Sequence, residues 1–295
     1  MRLEDKPRSV MSVMDHQQAA ANHQSDLPWG TFAPGFIVKK WLDLLHQMPT
    51  SSTSRRLALW LRKPLKFFIE GWVDVKVWGL HLRLRSKGNL SEQRLIYMPQ
   101  FLDQTEREML AAELAEGGLF LDIGANAGIY SLWVASMRKS SIRVEAFEPD
   151  PELCAGMTFN LATNQINNVT VNQMALGRQE GKMRLVTGDG NKGENRVEAD
   201  GAEGEGREVE MTTLKQFIAG RGIAEIDAVK IDIEGHEMDV LEPFFRDCSE
   251  SVWPRLLICE VVHDKDSRLL DLLKKSGYKV AGKGRLNTIF KRESD

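Results

Sequence analysis

An aspartate and two glycines, spaced as in a nucleotide-binding turn, are the first residues whose types suggest chemistry. In the stretch LFLDIGANAGIYS, Asp122 ends an apolar run, Gly124 and Gly128 follow it, and a helical pattern begins at Ile129. Glycines at the carboxyl end of a parallel strand let the backbone approach a ligand, and the next helix turns its N-terminal NH groups towards it. The pattern therefore favours a binding turn over the alternative, a purely structural strand-to-helix connection.

Two side chains of this turn indicate which ligand it would bind. A dinucleotide turn has a second glycine that admits a pyrophosphate, and the bulkier Asn126 stands at that place. Asp122 at the strand end would repel a phosphate and could bind an ammonium group. S-adenosylmethionine, an adenosine cofactor with an amino acid moiety and no phosphate, meets both conditions.

A second acidic residue, Glu148, ends the next apolar strand 24 residues after Gly124. A carboxylate at this place can accept both hydroxyl groups of an adenosine ribose, and a solvated helix cap is the alternative interpretation. The third predicted strand, VTVNQMAL, contains three side chains that could border the adenine. We take Met174 as the candidate for this contact, with Asn172 and Gln173 as alternatives.

Carboxylates and histidines at the ends of two later strands could remove a proton from an acceptor hydroxyl. In AVKIDIEGHE, Asp232 and Glu234 share strand parity with Lys230, and in RLLICEVVHD, Glu260 and His263 reach the neighbouring edge. In one hypothesis, His263 or Asp232 is the general base and Glu260 orients the acceptor, with Glu234 nearby. In the second, less favoured, Asp232, Glu260 and His263 bind Mg²⁺ or Mn²⁺.

The elements that must position these residues alternate between strands and helices from residue 119 onward. This alternation is typical of an α/β protein with a doubly wound parallel sheet. Before it we expect an N-terminal extension of helices and a β-hairpin, because apolar residues recur at helical spacing and then alternate. The predicted organisation is a flexible tail at 1–35, the extension at 36–110 and the main domain at 111–295.

Composition limits the classes of protein to consider. The chain has 295 residues and a formal net charge of −3, which gives no global reason to expect nucleic acid binding. Three scattered cysteines, no signal peptide and no long apolar run favour a cytoplasmic protein with reduced thiols. The basic amphipathic segment 55–66 suggests membrane-surface contact, although a helix docked on the core is favoured. The extension could also serve as a lid or as a homodimer arm.

Three motifs together, DIGANAGIYS, VEAFEPDPE and VKIDIEGHEMDVL, resemble the FkbM family of S-adenosylmethionine-dependent methyltransferases. The resemblance implies a Rossmann-like seven-stranded sheet whose last strand is antiparallel. It implies O-methylation, often of a sugar or polyketide hydroxyl, and we expect a small-molecule, sugar, glycolipid or secondary-metabolite acceptor. It also assigns Asp122, Gly124, Asn126, Gly128 and Glu148 to the cofactor site. The alternatives are an N- or carboxyl-methyltransferase and a non-catalytic protein that binds S-adenosylmethionine.

Overall fold

A computed structural model of the chain describes residues 27–186, 196–198, 206–261 and 267–292. From residue 27 onward, the N-terminal part contains four α-helices and one antiparallel hairpin: α1 (Phe36–His46), α2 (Ser52–Phe68), β1 (Trp72–Val77), β2 (Leu80–Arg85), α3 (Leu90–Tyr97) and α4 (Gln104–Glu113). The sequence therefore predicted both the helices and the hairpin of this part.

Residues 27–35, which were predicted to belong to the flexible tail, lie against the hairpin. The ring of Trp29 stacks on His81 with 4.1 Å between centroids. Asp74 Oδ2 accepts hydrogen bonds from the backbone amides of Gly30 (2.7 Å) and Phe32 (3.0 Å). Arg83 pairs with the same buried carboxylate at 2.8 Å. The remainder of the predicted tail, residues 1–26, lies outside the described residues.

From residue 118 onward, strands and helices alternate as the sequence predicts, apart from a run of five strands between residues 169 and 212. Their bounds are β3 (Gly118–Ile123), α5 (Ile129–Ser136), β4 (Ile142–Phe147), α6 (Pro151–Thr163), β5 (Val169–Asn172), β6 (Ala175–Leu176), β7 (Gly181–Val186), β8 (Arg196–Glu198), β9 (Arg207–Thr212), α7 (Leu214–Arg221), β10 (Ala228–Ile231), α8 (Glu237–Asp247), β11 (Leu256–Glu260), α9 (Arg268–Lys275), β12 (Tyr278–Lys283) and β13 (Asn287–Arg292).

The central sheet has seven strands in the order β12–β13–β11–β10–β3–β4–β5. The last strand of the chain, β13, is antiparallel to both of its neighbours, whereas β11, β10, β3, β4 and β5 run parallel. In β3, Ile123 pairs with Ile231 on one side and with Phe147 on the other. The three parallel strands β10, β3 and β4 therefore end at the same level of the sheet. This topology confirms the predicted Rossmann-like fold.

The stretch VTVNQMAL is not one strand. The chain leaves the central sheet at Asn172, and Ala175 begins β6 in a separate four-stranded sheet of order β6–β9–β7–β8. A turn bond from the Met174 amide to the Asn172 carbonyl, 2.9 Å long, accompanies this change of direction. The change places Met174 at the carboxyl edge of the central sheet.

Apolar side chains cover both faces of the central sheet, because successive residues of a strand point to opposite faces. Phe120 of β3 packs with α5, α6 and the N-terminal extension, so the extension shares a core with the main domain. Leu119 and Leu121 pack on the other face against α7, α8 and α9. Within the described residues, no helix combines the length and apolar character needed to cross a membrane.

Candidate functional site

The turn after β3 has the backbone geometry that its glycines were predicted to provide. Gly124 has a φ of 73° and Gly128 a φ of 74°. The amides of Gly124 and Ala125 both donate to the carbonyl of Phe147, at 3.1 and 2.9 Å. A Cβ atom on Gly124 would overlap the carbonyl oxygen of Asp232. Glycine is therefore required here both for its left-handed backbone and for the close approach of two strand ends.

Glu148 is held against this turn by two backbone amides. Asn126 N donates to Glu148 Oε2 at 2.8 Å, and Asp150 N donates to Glu148 Oε1 at 2.8 Å. Burial raises the pKa of the Glu148 carboxyl to about 7. Because a carboxylate oxygen has two acceptor positions, both oxygens can still accept a hydroxyl group. This is the geometry that ribose recognition needs.

Asp122 lies behind the turn, at the start of α5. Its Oδ2 accepts hydrogen bonds from the Ser131 hydroxyl (2.7 Å) and the Ser131 amide (3.0 Å). Among the described residues, Oδ1 has no hydrogen-bond partner. Burial raises the pKa of Asp122, and the nearby Lys230 opposes this rise. The structure gives Asp122 a role in fixing α5, and its contact with an ammonium group stays a prediction.

A narrow cavity of about 70 Å³ opens beside Glu148 at the edge of the sheet. Its apolar lining includes Phe147, Met174 and Leu176, and its polar lining includes Asn126 and Glu148. Met174 therefore lies where an adenine contact was expected. Of its two alternatives, Asn172 is bonded to Glu145 and Arg221 instead, and the exposed Gln173 does not line this cavity.

A wide cavity of about 600 Å³ adjoins the narrow one. Four residues line both cavities: Gly124, Asn126, Asp232 and Glu234. Asp232 and Glu260, which the sequence placed on neighbouring strand ends, meet in the wide cavity, and Glu234 also lines it. The structure therefore brings three of the four predicted catalytic residues together. The fourth, His263, lies outside the described residues.

The electrostatics of this carboxylate cluster are set by burial and by Lys230. Burial, and after it the negative charges of Asp232 and Glu234, raise the pKa of Glu260 to about 8. Lys230 donates a 3.0 Å hydrogen bond to Asp232 Oδ2. Burial lowers the pKa of Lys230, but Asp232 and Asp122 outweigh it and the net shift is upward. The lysine therefore forms an ion pair with Asp232.

The loop after β10 is shaped by backbone strain and one carboxylate. Glu234 has a φ of 56° and Gly235 a φ of 98°. Glu237 Oε1 accepts bonds from the amides of Ile233 (3.0 Å) and Gly235 (3.3 Å). His236 contacts Asp239 at 2.9 Å and borders the narrow cavity. A non-glycine residue in the left-handed region is unfavourable, so these bonds hold Glu234 in place.

No metal-binding group of three or more His, Cys, Asp or Glu side chains is present within the ranges that the structure covers. Because His263 falls outside those ranges, the alternative in which it binds a metal with Asp232 and Glu260 stays a prediction. The three cysteines of the chain are unpaired.

Sequence reasoning missed two contributions from distant parts of the chain. Asn89 donates a 2.6 Å hydrogen bond to Asn126 in the glycine turn. An Asn directly before α3, with Glu92 three residues later, is a sequence signal for a helix cap. No feature of the sequence indicated that Asn89 contacts the glycine turn. Besides Lys230, five basic side chains line the wide cavity: Arg55, Arg62, Lys66, Arg94 and Arg285. Their convergence has no signal in the local sequence.

The residues fit S-adenosylmethionine. The buried Glu148 carboxylate can accept ribose hydroxyls, Phe147 and Met174 supply apolar contacts for adenine, and Gly124 lets the backbone approach. The strand order and this site define a Rossmann-like methyltransferase fold.

The Methyltransferase FkbM domain matches residues 122–280, which is more than half of the chain, so the chain belongs to the FkbM methyltransferase family. It is 28% identical to the 31-O-demethyl-FK506 methyltransferase FkbM of Streptomyces tacrolimicus, over 65% of this chain and 84% of that one. It is 26% identical to the AMB antimetabolite synthetase AmbE of Pseudomonas aeruginosa, over 72% of this chain. That match spans only 12% of the synthetase.

Among solved structures, the METTL16 methyltransferase domain has a TM-score of 0.45 with this chain at 14% identity, covering 74% of this chain and 75% of that one. The family assignment confirms the resemblance seen in the three sequence motifs, and methyltransferase activity with S-adenosylmethionine follows from it.

Proposed function

We propose that this protein is an S-adenosylmethionine-dependent O-methyltransferase that acts on a hydroxyl of a sugar, glycolipid or secondary metabolite. The observation that carries the proposal is the shared border of the two cavities at Gly124, Asn126, Asp232 and Glu234. A cofactor in the narrow cavity would face an acceptor in the wide one across this border. The name of the FkbM relative describes O-methylation, which supports the same chemistry.

The narrow cavity would hold the cofactor. When bound, S-adenosylmethionine supplies an electrophilic methyl group on its sulfonium. Glu148 accepts the ribose hydroxyls, and the bond from Asn126 N keeps its carboxylate in position. Phe147 and Met174 contact the adenine and exclude water. Placing the two reactants together supplies most of the rate acceleration in such a displacement.

The carboxyl pair of Asp232 and Glu260 would take the proton of the acceptor hydroxyl. A hydrogen bond joins the two groups and, after burial and the nearby negative charges, adds to the raised pKa of Glu260. A general base is most effective when its pKa lies near the working pH, and a value of about 8 meets this condition. The proton of the hydroxyl moves to the pair while Lys230 stabilises the remaining charge.

The basic wall of the wide cavity indicates which acceptors to try first. Arg55, Arg62 and Lys66 approach from α2, and Arg94 and Arg285 approach from other elements. Guanidinium groups bind phosphate and carboxylate groups with paired hydrogen bonds. An acceptor that carries a phosphate beside its hydroxyl therefore fits this cavity best.

The test is turnover with a panel of hydroxylated acceptors, including sugar phosphates and their unphosphorylated forms. Purified full-length protein is incubated with S-adenosylmethionine, and S-adenosylhomocysteine and the methylated product are measured by mass spectrometry. We expect an O-methyl product, formed fastest with phosphorylated acceptors. A product methylated only at nitrogen or carboxylate would contradict the O-methyl assignment. Tight cofactor binding without turnover across the panel would favour a non-catalytic binding protein.

A further inference from the structure

We propose that the outer face of α2 docks on the surface of an anionic lipid bilayer. The outer face consists of four apolar side chains that point to solvent, namely Leu57, Trp60, Phe67 and Phe68. The proposal concerns where the protein sits and is independent of its methyl transfer chemistry.

The faces of α2 have different environments. Ala58 and Leu65 are its buried residues, and they attach the helix to the core. Arg55, Arg62 and Lys66 line the wide cavity. At 3.6 residues per turn, the outer face forms an arc of about 100° that lies away from this cavity side. The inner side of the helix therefore lines the cavity, and its outer side has no partner among the described residues.

The exposure of the outer face is far larger than a core-docked helix would show. Trp60 is 66% exposed, Phe67 is 82% exposed and Phe68 is 68% exposed. A helix held only by core packing would turn its large apolar residues inward, since burying each stabilises the fold. Contiguous exposed apolar residues of this kind mark a surface that binds a partner or a membrane.

The charge of α2 favours a lipid surface with negative headgroups. The helix carries five Lys and Arg residues and no Asp or Glu. Arg56 and Lys63 lie exposed beside the outer face. An amphipathic helix with aromatic residues on one side and cations at its border lies in the headgroup region of a bilayer. Anionic lipids add an attraction for every cation near the surface.

A second copy of the chain fits this face less well. In a two-fold dimer the same patch meets itself, so Arg56 and Lys63 would approach their own counterparts. Like charges brought together at an interface without carboxylates oppose association. The helix offers no acidic residue to offset this repulsion. Charge complementarity therefore selects the bilayer.

The neighbouring helix α1, which packs on α2, has a similar exposed surface. Phe36 and Ile37 at its start are both more than three-quarters exposed, and Lys39 and Lys40 follow them. Both helices thus combine exposed apolar side chains with cations. This extends the surface available for docking beyond the single helix.

The experiment is co-sedimentation of the full chain with vesicles of phosphatidylcholine alone or of phosphatidylcholine mixed with phosphatidylglycerol. We expect pelleting with the anionic vesicles, little with the neutral ones, and loss at high salt. The double variants Trp60→Ser/Phe67→Ser and Arg56→Glu/Lys63→Glu should each lower vesicle affinity at least about tenfold. Because all four residues are exposed, these variants should keep the wild-type melting temperature.

Two variants at exposed sites elsewhere serve as matched controls. Val280→Ser removes a half-exposed apolar residue from β12, and Lys76→Glu reverses an exposed charge on β1. Both should pellet like the wild type. The proposal would be overturned if the wild type did not pellet with anionic vesicles. It would also be overturned if the two α2 double variants pelleted as well as the wild type. A dimeric mass in solution that Trp60→Ser/Phe67→Ser abolishes, without vesicle binding, would instead assign the face to self-association.

Discussion

The side-chain amide of Asn89 donates a 2.6 Å hydrogen bond to Asn126 Oδ1, and this bond ties the N-terminal extension to the glycine turn. The same Asn126 oxygen accepts from the Ala127 amide at 2.7 Å, while the Asn126 amide donates to Glu148. Asn89 is thus two hydrogen bonds away from the carboxylate proposed to bind the ribose. The extension supports the cofactor site as well as covering the sheet.

The Asn89→Asp variant should separate this link from the capping role of Asn89. Its side chain also accepts bonds from Ser91 N and Glu92 N at the start of α3. Aspartate keeps these acceptors but has no amide to donate to Asn126, so we expect S-adenosylmethionine affinity to fall about tenfold with little change in stability. Calorimetric titration and a thermal melt measure the two effects. Asn89→Ala should lose both, and unchanged affinity in both variants would show that the link has no role in binding.

The Gly124→Ala variant should have a distorted glycine turn, lower stability and weaker cofactor binding. Alanine would have to adopt a φ near 73° and place its Cβ against the Asp232 carbonyl. We expect a loss of roughly 2 kcal/mol or more in unfolding free energy and weakened cofactor binding. The matched control is Gly156→Ala in α6, where a Cβ meets nothing within 4 Å, so its stability should stay or rise. Equal behaviour of the two variants in chemical denaturation would refute the requirement for glycine at 124.

Replacing Asp232 with Asn should slow turnover while cofactor binding stays within a few-fold of the wild type. The amide keeps the shape and one acceptor but cannot take the hydroxyl proton, so we expect kcat to fall about 10²–10⁴-fold. Single-turnover kinetics with a substrate from the acceptor panel measure the effect. Asp247→Asn, on the exposed side of α8, is the control and should keep full activity. A wild-type rate in Asp232→Asn would remove Asp232 from the base pair.

Stability should fall as the pH rises through the range in which Glu148 and Glu260 titrate. Their pKa values rise from 4.5 in the unfolded chain to about 7 and about 8 in the fold. Below pH 4.5 both carboxyl groups are protonated in the folded and the unfolded chain, and their contribution to stability is at its maximum. Between the unfolded and the folded pKa values, the folded state binds more protons than the unfolded state. The stability that the two groups contribute is therefore lost as the pH rises towards 8.

The Glu260→Gln variant isolates this effect in urea denaturation at pH 5.5 and 8.5. Between pH 5.5 and pH 8.5, we expect the unfolding free energy of the variant to fall by roughly 2 kcal/mol less than that of the wild type. Glu210→Gln, at an exposed position on β9, is the control and should follow the wild type. A Glu260→Gln variant with the full wild-type pH dependence would contradict the raised pKa.

The parts of this protein that could be predicted from sequence are those whose causes are local. DIGANAG specifies its own turn, because only glycine at 124 tolerates the left-handed backbone beside another strand end. The place of Glu148 beside the turn could be predicted because its spacing from Gly124 reflects one strand–helix–strand unit. The parallel sheet followed from the alternation of elements, and its seven strands with an antiparallel last strand followed from the resemblance that the three motifs carry.

The parts that could not be predicted depend on contacts between distant segments. Asn89 and Asn126 are 37 residues apart, and no periodicity connects them. The break between β5 and β6 was missed because apolar residues resume at Met174, only two residues after β5 ends, while the chain changes sheets. The exposure of Trp60 and Phe67 was missed because a helical pattern shows which residues share a face but not what the face meets.

The most direct test of the account is calorimetric titration of the apo protein and the Glu148→Gln variant with S-adenosylmethionine, S-adenosylhomocysteine and NAD at pH 8. We expect the wild type to bind the first two at micromolar affinity and NAD not at all. The variant should bind at least about tenfold more weakly, because it loses a charged acceptor of the ribose hydroxyls. Binding of NAD alone, or equal affinity in the variant, would contradict the assignment of this turn and of Glu148 to the methyl donor.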